Sequence, residues 1–235
     1  MAASSLGLAA PADSWSAEEL PSEQAYFSDF PVVLSATRLT QNLTESPLPV
    51  SVIDRAMIEA SGARDIEELF RLAPGMIVGY HDGHTGFATY HAIADRYARR
   101  MQILIDGRSV YTPTFGGVDW SSLPLAIENI QRIEIIRAPN AATHGANALL
   151  GTISIITRDP VKTEQAITNT TLAAGNNGIY KVFASHADTI DTVNYRLTAS
   201  RWGDDGFEQP PGYADDRDIT LFNVQVNWQA TPVTR

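Results

Sequence analysis

Three histidines in one short stretch are the residues best suited by type to bind a metal ion. His81 and His84 have the spacing that would place two imidazoles on one face of a helix, as a zinc site requires, and His91 follows. Gly83 and Gly86 instead predict a loop, and no carboxylate in a metal-binding motif follows. The stretch is therefore interpreted as an exposed polar loop, and a metallohydrolase built on these histidines is kept as an alternative.

Motifs for other catalytic chemistry are absent from the sequence. The chain has no glycine-rich phosphate loop, no nucleophile elbow and no metalloprotease helix. Asp106 stands directly before Gly107, and this dipeptide is typical of a tight hairpin turn, so turn formation explains the acid better than catalysis. The sequence predicts a protein that is not an enzyme, with no catalytic residue, no cofactor and no metal site.

The composition excludes several classes of protein. Hydrophobic residues make up 44% of the 235 residues and charged residues 19%, which argues against overall disorder. The net charge of −10 argues against a nucleic-acid-binding protein, and the absence of cysteine excludes disulfides and thiolate metal sites. No apolar run approaches the roughly 18 residues of a membrane helix, so contact with a membrane would have to be made by strands.

Two apolar strands between Glu128 and Asp159 are the elements around which the chain is organised. Proline at position 139 breaks the first isoleucine-rich run because it removes a hydrogen-bond donor and fixes φ, and a Gly/Ala-rich connection leads to the second. The isoleucines concerned are Ile130, Ile133, Ile135 and Ile136, and then Ile153, Ile155 and Ile156. Such runs predict adjacent buried strands of a small sheet.

This stretch resembles the end of the plug domain of TonB-dependent outer-membrane receptors. The matching residues are Glu134, Arg137, Pro139, Gly145, Ala146, Asn147, Ile153, Ile155, Ile156 and Thr157. Ala138, His144 and Leu150 stand where glycine, tyrosine and glycine are usual. A second block, residues 99–125, resembles plugs of the cobalamin and catecholate-siderophore receptor type. The resemblance implies an α+β plug domain, with a small mixed sheet and short helices, over residues 39–158.

The resemblance also gives meaning to the N-terminal region. Residues 1–29 are expected to be a signal-peptide remnant or a flexible N-terminus, because the small residues near Leu6–Ala12 lack a basic region before them. Residues 30–38 are similar to the TonB box, which pairs as a strand with the periplasmic TonB protein. Val32, Val33, Leu34 and Ser35 are the predicted TonB-binding residues, because strand addition draws its affinity from main-chain hydrogen bonds and apolar side chains.

Two loops are expected to face the ligand at the apical end of a plug. They are the polar stretch that follows a predicted strand at 76–80 and the aromatic, Gly/Pro-rich stretch 111–120. The candidate ligand-binding residues are Tyr80, His81, Asp82, His84, Tyr111, Thr114, Phe115 and Trp120. In a plug, charged residues would also pair with the inner barrel wall, and Arg96, Arg100, Glu134 and Arg137 are the predicted plug–barrel contacts.

Residues 159–235 change to an alternation of apolar and polar residues, which is clearest at 193–200 and 222–228. Period two predicts strands with one apolar and one polar face, which suits a soluble half-buried sheet and a transmembrane barrel equally. In a receptor the connections 175–178 and 203–217 would lie outside and 188–191 inside, with Trp202, Tyr213 and Trp228 as interface aromatics. Receptors of this family close about 22 strands, and this segment has room for about four, so we expect an incomplete transmembrane β-barrel and a chain that is a fragment.

The function implied by the resemblance is energised uptake of a metal chelate, such as a ferric siderophore or cobalamin, through the outer membrane of a Gram-negative bacterium. The expected partners are TonB with its inner-membrane energising complex, the chelate and outer-membrane lipid, with no nucleic acid and with the protein a monomer. The alternative from another class is a soluble periplasmic α+β binding module. A C-terminal segment packed on both faces would favour this soluble module.

Overall fold

The structure of this chain is a computed structural model that describes residues 48–91, 96–114, 116–160, 166–207 and 214–228. It also describes the backbone of two short strands, β1 (Val32–Val33) and β2 (Gln41–Asn42). The expected signal remnant at 1–29 and the predicted site residues Leu34, Ser35 and Phe115 lie outside the described residues.

Short strands and helices are followed by four long strands. The first group of strands is β3 (Val50–Ile53), β4 (Met76–Tyr80), β5 (Gly86–Tyr90), β6 (Met101–Ile105), β7 (Arg108–Ser109), β8 (Ile130–Ile136) and β9 (Gly151–Thr157). Within the described residues the helices are α1 (Arg55–Ser61), α2 (Ala141–His144) and three 3-10 helices, Ile66–Leu72, Trp120–Ser122 and Ile127–Asn129. The long strands are β10 (Ile167–Ala174), β11 (Tyr180–Ile190), β12 (Val193–Asp204) and β13 (Arg217–Trp228). We call residues 48–158 the inner unit and β10–β13 the outer sheet. None of the described helices has the length and apolarity needed to cross a membrane.

A five-stranded mixed sheet, in the order β3-β8-β9-β6-β7, is the centre of the inner unit. β8 and β9 pair antiparallel with Ile133 opposite Ile155 and Ile135 opposite Ile153, and all four side chains are fully buried. β6 joins β9 in parallel. Facing β-branched pairs pack well on a pleated surface, so the strands predicted between Glu128 and Asp159 are confirmed as the middle of the sheet.

Residues Ile66–Leu72 form a 3-10 helix, which begins with a capping box between Asp65 and Glu68. Ala73, which follows it, is already extended at φ −97° and ψ 129°. The residue before a proline is disfavoured in the α region, and Pro74 comes next.

The outer sheet is an antiparallel meander, β10-β11-β12-β13, and its two faces differ sharply. Ser185, Thr198 and Leu221 belong to the face on the inner unit and are buried. The other face is outward and apolar, and Phe222 and Val224 on it are 77% and 66% exposed. A soluble sheet would bury its apolar face, so this arrangement contradicts the alternative in which the C-terminal segment is packed on both faces. The predicted fold class, a small mixed sheet with short helices followed by antiparallel strands of an open sheet, is confirmed.

The main hydrophobic cluster lies within the inner unit, and a small second cluster lies where the inner unit meets the outer sheet. The main cluster is drawn from the described residues of the inner unit, whereas Phe183, Leu221 and Ala126 form a small second cluster against which Trp202 packs. The prediction that Trp202 lies at a membrane interface is therefore wrong, because its strand turns it inward. Trp228, on the outward face, is exposed, and Tyr213 lies outside the described residues.

Candidate functional site

A buried arginine joins the outer sheet to the inner unit. Arg217, the first residue of β13, donates from Nη1 and Nη2 to the two carboxylate oxygens of Asp65 at 2.8 and 2.9 Å. Its Nε donates to Asp204 Oδ2 at 2.7 Å, and each of these side chains is 8% exposed. Two parallel bonds match a planar guanidinium to a carboxylate, which makes the contact directional as well as ionic. We call these three residues the seam clamp.

Other polar contacts cross the same interface, which we call the seam. They are Lys181 Nζ to Glu128 Oε1 at 2.6 Å, Asn129 Nδ2 to Thr198 Oγ1 at 3.0 Å, and Gln225 Nε2 to Thr157 Oγ1 at 2.9 Å. Hydrogen bonds and ion pairs can be exchanged for water at modest net cost, whereas a continuous hydrophobic core cannot. The seam is thus better suited to separation than the interior of either part.

The residues predicted to contact the barrel wall do not make these bonds. Arg96 donates to Thr85 Oγ1 at 3.3 Å, and the fully buried Glu134 accepts from Arg132 at 2.8 Å, both within the inner unit. Arg100 is exposed and Arg137 half-buried. The seam pairs acids of the inner unit, Asp65 and Glu128, with bases of the outer sheet, Arg217 and Lys181.

The first predicted ligand loop is closed by its own aspartate. Asp82 Oδ1 accepts from the backbone N–H of Thr85 at 2.7 Å and of His84 at 3.2 Å. Burial alone would raise the pKa of Asp82, but hydrogen bonds from Thr85 and His84 outweigh burial and hold this pKa below its ordinary value. The Asp82 carboxylate is therefore held by backbone N–H groups of its own loop and is not a free ligand at the tip of the loop.

The same loop is tied to the long connection between β12 and β13. Gly83 N donates to Asp215 Oδ2 at 2.7 Å, and His84 Nδ1 lies 3.4 Å from the Asp215 carbonyl oxygen. Asp205 N donates to Asn177 O at 3.0 Å, so the turn between β10 and β11 lies at this end as well. The connections predicted to share one side of the membrane thus meet, and the first predicted ligand loop lies with them.

Tyr80 links the loop to the seam clamp. Its hydroxyl donates to Asp65 Oδ2 at 3.1 Å, and its ring meets Phe207 edge-on with 6.2 Å between centroids. Burial and then the Asp65 carboxylate raise the pKa of Tyr80, so the hydroxyl stays a donor over the physiological range. A continuous path of contacts therefore runs from Phe207 in the outer connection to Arg217 at the seam.

Removal of the Tyr80 hydroxyl should weaken this path measurably. We expect Tyr80→Phe to lower the free energy of unfolding by about 1 kcal/mol, because one hydrogen bond to a carboxylate is lost while the ring contact with Phe207 stays. Chemical denaturation would measure the change. Tyr111→Phe is the matched control and should change stability by less than about 0.5 kcal/mol. Equal effects of the two variants would contradict the assignment.

The second predicted ligand loop divides into an exposed part and a buried part. Tyr111 is half-buried and Thr114 exposed, and the loop is closed by a bridge between Thr112 and Gly117. Trp120 is 4% exposed and meets Phe70 edge-on at 5.2 Å between ring centroids. Trp120 is thus a core residue, and its assignment to the ligand surface is corrected: the short 3-10 helix that it begins turns the indole inward.

Tyr97 and two arginines bring the two loops together. Arg96 contacts Thr85 of the first loop, and Val118 N, within the second, donates to Tyr97 O at 2.6 Å. The guanidinium carbons of Arg96 and Arg99 lie 5.4 and 5.5 Å from the Tyr97 ring centroid. Sequence reasoning missed Tyr97, although its position between arginines is a pattern that favours cation–π contact.

The described residues contain no group of three His, Cys, Asp or Glu side chains arranged to hold a metal ion. His84 Nδ1 lies 3.6 Å from Asp82 Oδ1, while His81 packs near Phe87 with 5.0 Å between ring centroids. His91 meets Tyr90 edge-on with 3.9 Å between ring centroids. Each histidine therefore has a local partner, and the alternative of a metallohydrolase built on these three has no support from their arrangement.

The predicted TonB-binding segment is described at two residues. β1 pairs antiparallel with β2, with Val32 opposite Asn42 and Val33 opposite Gln41. This pairing uses one edge of β1. A two-stranded ribbon of this kind leaves its other edge for a further strand.

Comparison with known proteins locates this architecture among membrane receptors. Residues 42–152 match the sequence model of the TonB-dependent receptor plug domain. The vitamin B12 transporter BtuB of Photobacterium profundum is 30% identical over 196 residues, which cover 82% of this chain and 31% of that relative. The vitamin B12 transporter BtuB of Vibrio vulnificus is 26% identical over 67% of this chain and 28% of its own length. The chain thus spans less than a third of these relatives.

Solved structures share the fold at low sequence identity. The ferripyoverdine receptor of the outer membrane of Pseudomonas aeruginosa, bound to ferripyoverdine, superimposes with a TM-score of 0.65 at 18% identity, over 86% of this chain and 26% of that one. The copper transporter OprC superimposes with a TM-score of 0.63 at 21% identity, over 79% of this chain and 28% of that one.

Proposed function

This chain belongs to the TonB-dependent receptors, with its plug domain at residues 42–152, and from that premise we propose that the complete protein takes up a metal chelate by energised transport. Its location is the outer membrane of a Gram-negative bacterium. The inner unit is the plug and the outer sheet is the first part of the barrel wall. Ligand would bind at the outer end, and TonB, driven by its inner-membrane complex, would pull from the periplasmic end.

The orientation of the outer sheet is the observation that carries this proposal. Polar residues such as Ser185 and Thr198 face the plug, while Phe222, Val224 and Val226 face outward and are exposed. An outward apolar face and an inward polar face are what a membrane barrel needs, because lipid surrounds it and a hydrated lumen lies within. The outward face would contact outer-membrane lipid, and the protein would act as a monomer.

The ligand surface is proposed at the end where the two loops meet. His81 is exposed on the first loop, and Tyr111 and Thr114 flank the exposed part of the second. Arg96 and Tyr97 lie between them and would add a cationic and aromatic surface to it. Phe115 stays a proposed ligand residue, Trp120 does not, and Asp82 and Tyr80 are assigned to support of the loop.

The TonB-binding segment is proposed at Val32 to Ser35. Val32 and Val33 are in strand conformation, which is the conformation in which a partner strand can be added. Pro31 lacks an N–H, so pairing with TonB would begin at Val32.

The chelate is proposed on chemical grounds and from relatives. The curated relatives are named as transporters of vitamin B12, and one solved neighbour contains ferripyoverdine. Both ligands are large metal complexes that a hydrophobic bilayer excludes. We therefore propose a metal chelate of this size as the substrate.

Binding to the full-length receptor tests the proposal. The receptor would be purified in detergent and titrated with cyanocobalamin and with a ferric tris-catecholate. We expect one of them to bind, and Tyr111→Ala to weaken binding about tenfold, equivalent to about 1.4 kcal/mol, because a stacking surface is lost. Tyr195→Ala, on the outward face, is the control and should leave affinity unchanged. Failure to bind either chelate, or equal loss in both variants, would remove the support for this ligand surface.

A further inference from the structure

Glu67 is a buried acid that neither the plug fold nor the seam clamp requires. It belongs to the 3-10 helix Ile66–Leu72, is 3% exposed, and lies so close to Gly86 that a Cβ there would collide with its carboxyl group. Apart from its own backbone N–H, no donor among the described residues forms a hydrogen bond or ion pair with this carboxyl. An ionised carboxylate without partners is costly to bury, so the site favours the neutral acid.

The charges that face Glu67 favour the neutral acid further. Asp65 and Glu68 are acids on the same segment, and Arg217 comes from the outer sheet but is already bonded to Asp65 and Asp204. Tyr80, from β4, donates to Asp65. The cations Arg64 and Lys181 line a cavity that Glu67 also lines. The nearest cation is therefore committed to other carboxylates, and an ionised Glu67 would have to compete for it.

The cavity beside Glu67 lies in the seam itself. It has a volume of about 30 Å³ and is lined from both sides, by Glu67 and Trp120 of the inner unit and by Ser200 and Trp202 of the outer sheet. Trp120 Nε1 and Ser200 Oγ are buried there and have no hydrogen-bond partner in the part of the chain that the structure describes. A cavity of this size with polar walls has room for a water molecule. One water can form a hydrogen bond with a neutral carboxyl, but it cannot replace the full hydration that an ionised carboxylate has in bulk water.

We propose that Glu67 holds a proton while the plug and the barrel wall are in contact at this seam, and that it gives up the proton when the seam opens. Opening admits water to the carboxyl and so removes the burial that disfavours its ionised form. Movement of the plug away from this part of the wall is therefore a proton-releasing step. The inference does not depend on which chelate is transported.

The pH dependence follows from the two protonation states. Burial, and then Asp65, raise the pKa of Glu67 from 4.5 to about 8 in the closed seam. In the open seam the carboxyl has its ordinary pKa, so between these values the closed form holds one more proton than the open form. The contribution of Glu67 to closure is complete below about pH 4.5 and is lost as pH rises through about 8. Within this window the opening constant should rise about tenfold for each pH unit.

Hydrogen exchange on the full chain in detergent micelles tests the proposal. The opening constant of amides in the segment Ile66–Leu72 would be measured from pH 5.5 to 7.5 in the native chain and in Glu67→Gln, an uncharged match for the neutral acid. Over two pH units the native constant should rise about a hundredfold relative to the variant, because only Glu67 differs between them. Glu68→Gln is the control, and its profile should be parallel to the native one.

Parallel profiles of the native chain and Glu67→Gln would overturn the proposal. If the variant does not fold, the native chain alone still decides the question through infrared titration of the carbonyl stretch of protonated carboxylic acids. A carboxyl that titrates near pH 8 while the seam is closed supports the proposal. Loss of all such absorbance by pH 6.5 would overturn it.

Discussion

Replacement of Arg217 by methionine should lower the free energy of unfolding by about 3–5 kcal/mol. The guanidinium neutralises two carboxylates, Asp65 and Asp204, that are each 8% exposed, and methionine would leave both of them buried without a cation. An uncompensated buried charge loses its attraction and keeps its desolvation penalty. Denaturation of the full chain in micelles, followed by tryptophan fluorescence, would measure the change.

Arg201 provides a matched control on the neighbouring strand. It also pairs with an aspartate, Asp218, at 2.5 Å, but its side chain is 61% exposed. Water and salt screen such a pair, so Arg201→Met should cost no more than about 1 kcal/mol. Equal losses in the two variants would show that the seam clamp has no special role.

A second substitution separates the loss of a bond from the loss of a charge. Addition of Asp65→Asn to Arg217→Met removes one of the stranded carboxylates, so part of the lost stability should return. The same double variant keeps the Tyr80 hydroxyl in contact with an oxygen acceptor at position 65. If the double variant is less stable than Arg217→Met alone, the argument from uncompensated charge is wrong.

Val33→Pro in the full-length receptor should reduce energised uptake to background while ligand binding stays within about twofold of the native value. Proline removes the N–H that a partner strand would need and fixes φ, so a strand added at Val32 to Ser35 loses main-chain bonds that supply its affinity. The ligand surface lies on other segments of the plug and should not change. Uptake and binding of the same labelled chelate, measured in the same cells, would separate the two effects.

Val33→Thr is the control for this experiment. Threonine keeps the β-branched shape and the backbone donor, so uptake should stay within about threefold of the native rate. Normal uptake in Val33→Pro would place the TonB-binding segment elsewhere. Loss of binding in Val33→Pro would mean that the substitution disturbed the plug and not its attachment to TonB.

Local pattern was enough to predict the main elements of the plug. The isoleucine runs at 130–136 and 153–157 became the central strands, because side chains with two branches at Cβ prefer a pleated surface wherever it is buried. Asp106-Gly107 became a hairpin turn with φ of 48° and 76°, the left-handed values that this dipeptide tolerates. Both features depend on residues that are neighbours in the sequence.

The candidate site was predicted only in part, because exposure depends on what packs above a residue. An aromatic, glycine-rich stretch suggested a ligand loop, yet Trp120 within it is packed on Phe70. The charged residues of the plug were expected to meet the wall, yet Arg96 donates to Thr85 and Glu134 accepts from Arg132 within the inner unit. Neither result is visible from composition or spacing.

The sequence by itself determined the strands, their turns, the alternation of residues 193–200 and 222–228 and the family to which they are similar. Only the tertiary structure decided which face of the outer sheet meets the plug, and that Asp65 and Arg217, 152 positions apart, form the clamp across the seam. The physical reason is the distance along the sequence over which each kind of interaction acts. Periodicity and turn chemistry act over a few residues, whereas the pairing of buried charges and the covering of an indole depend on where distant segments are brought together by the whole fold.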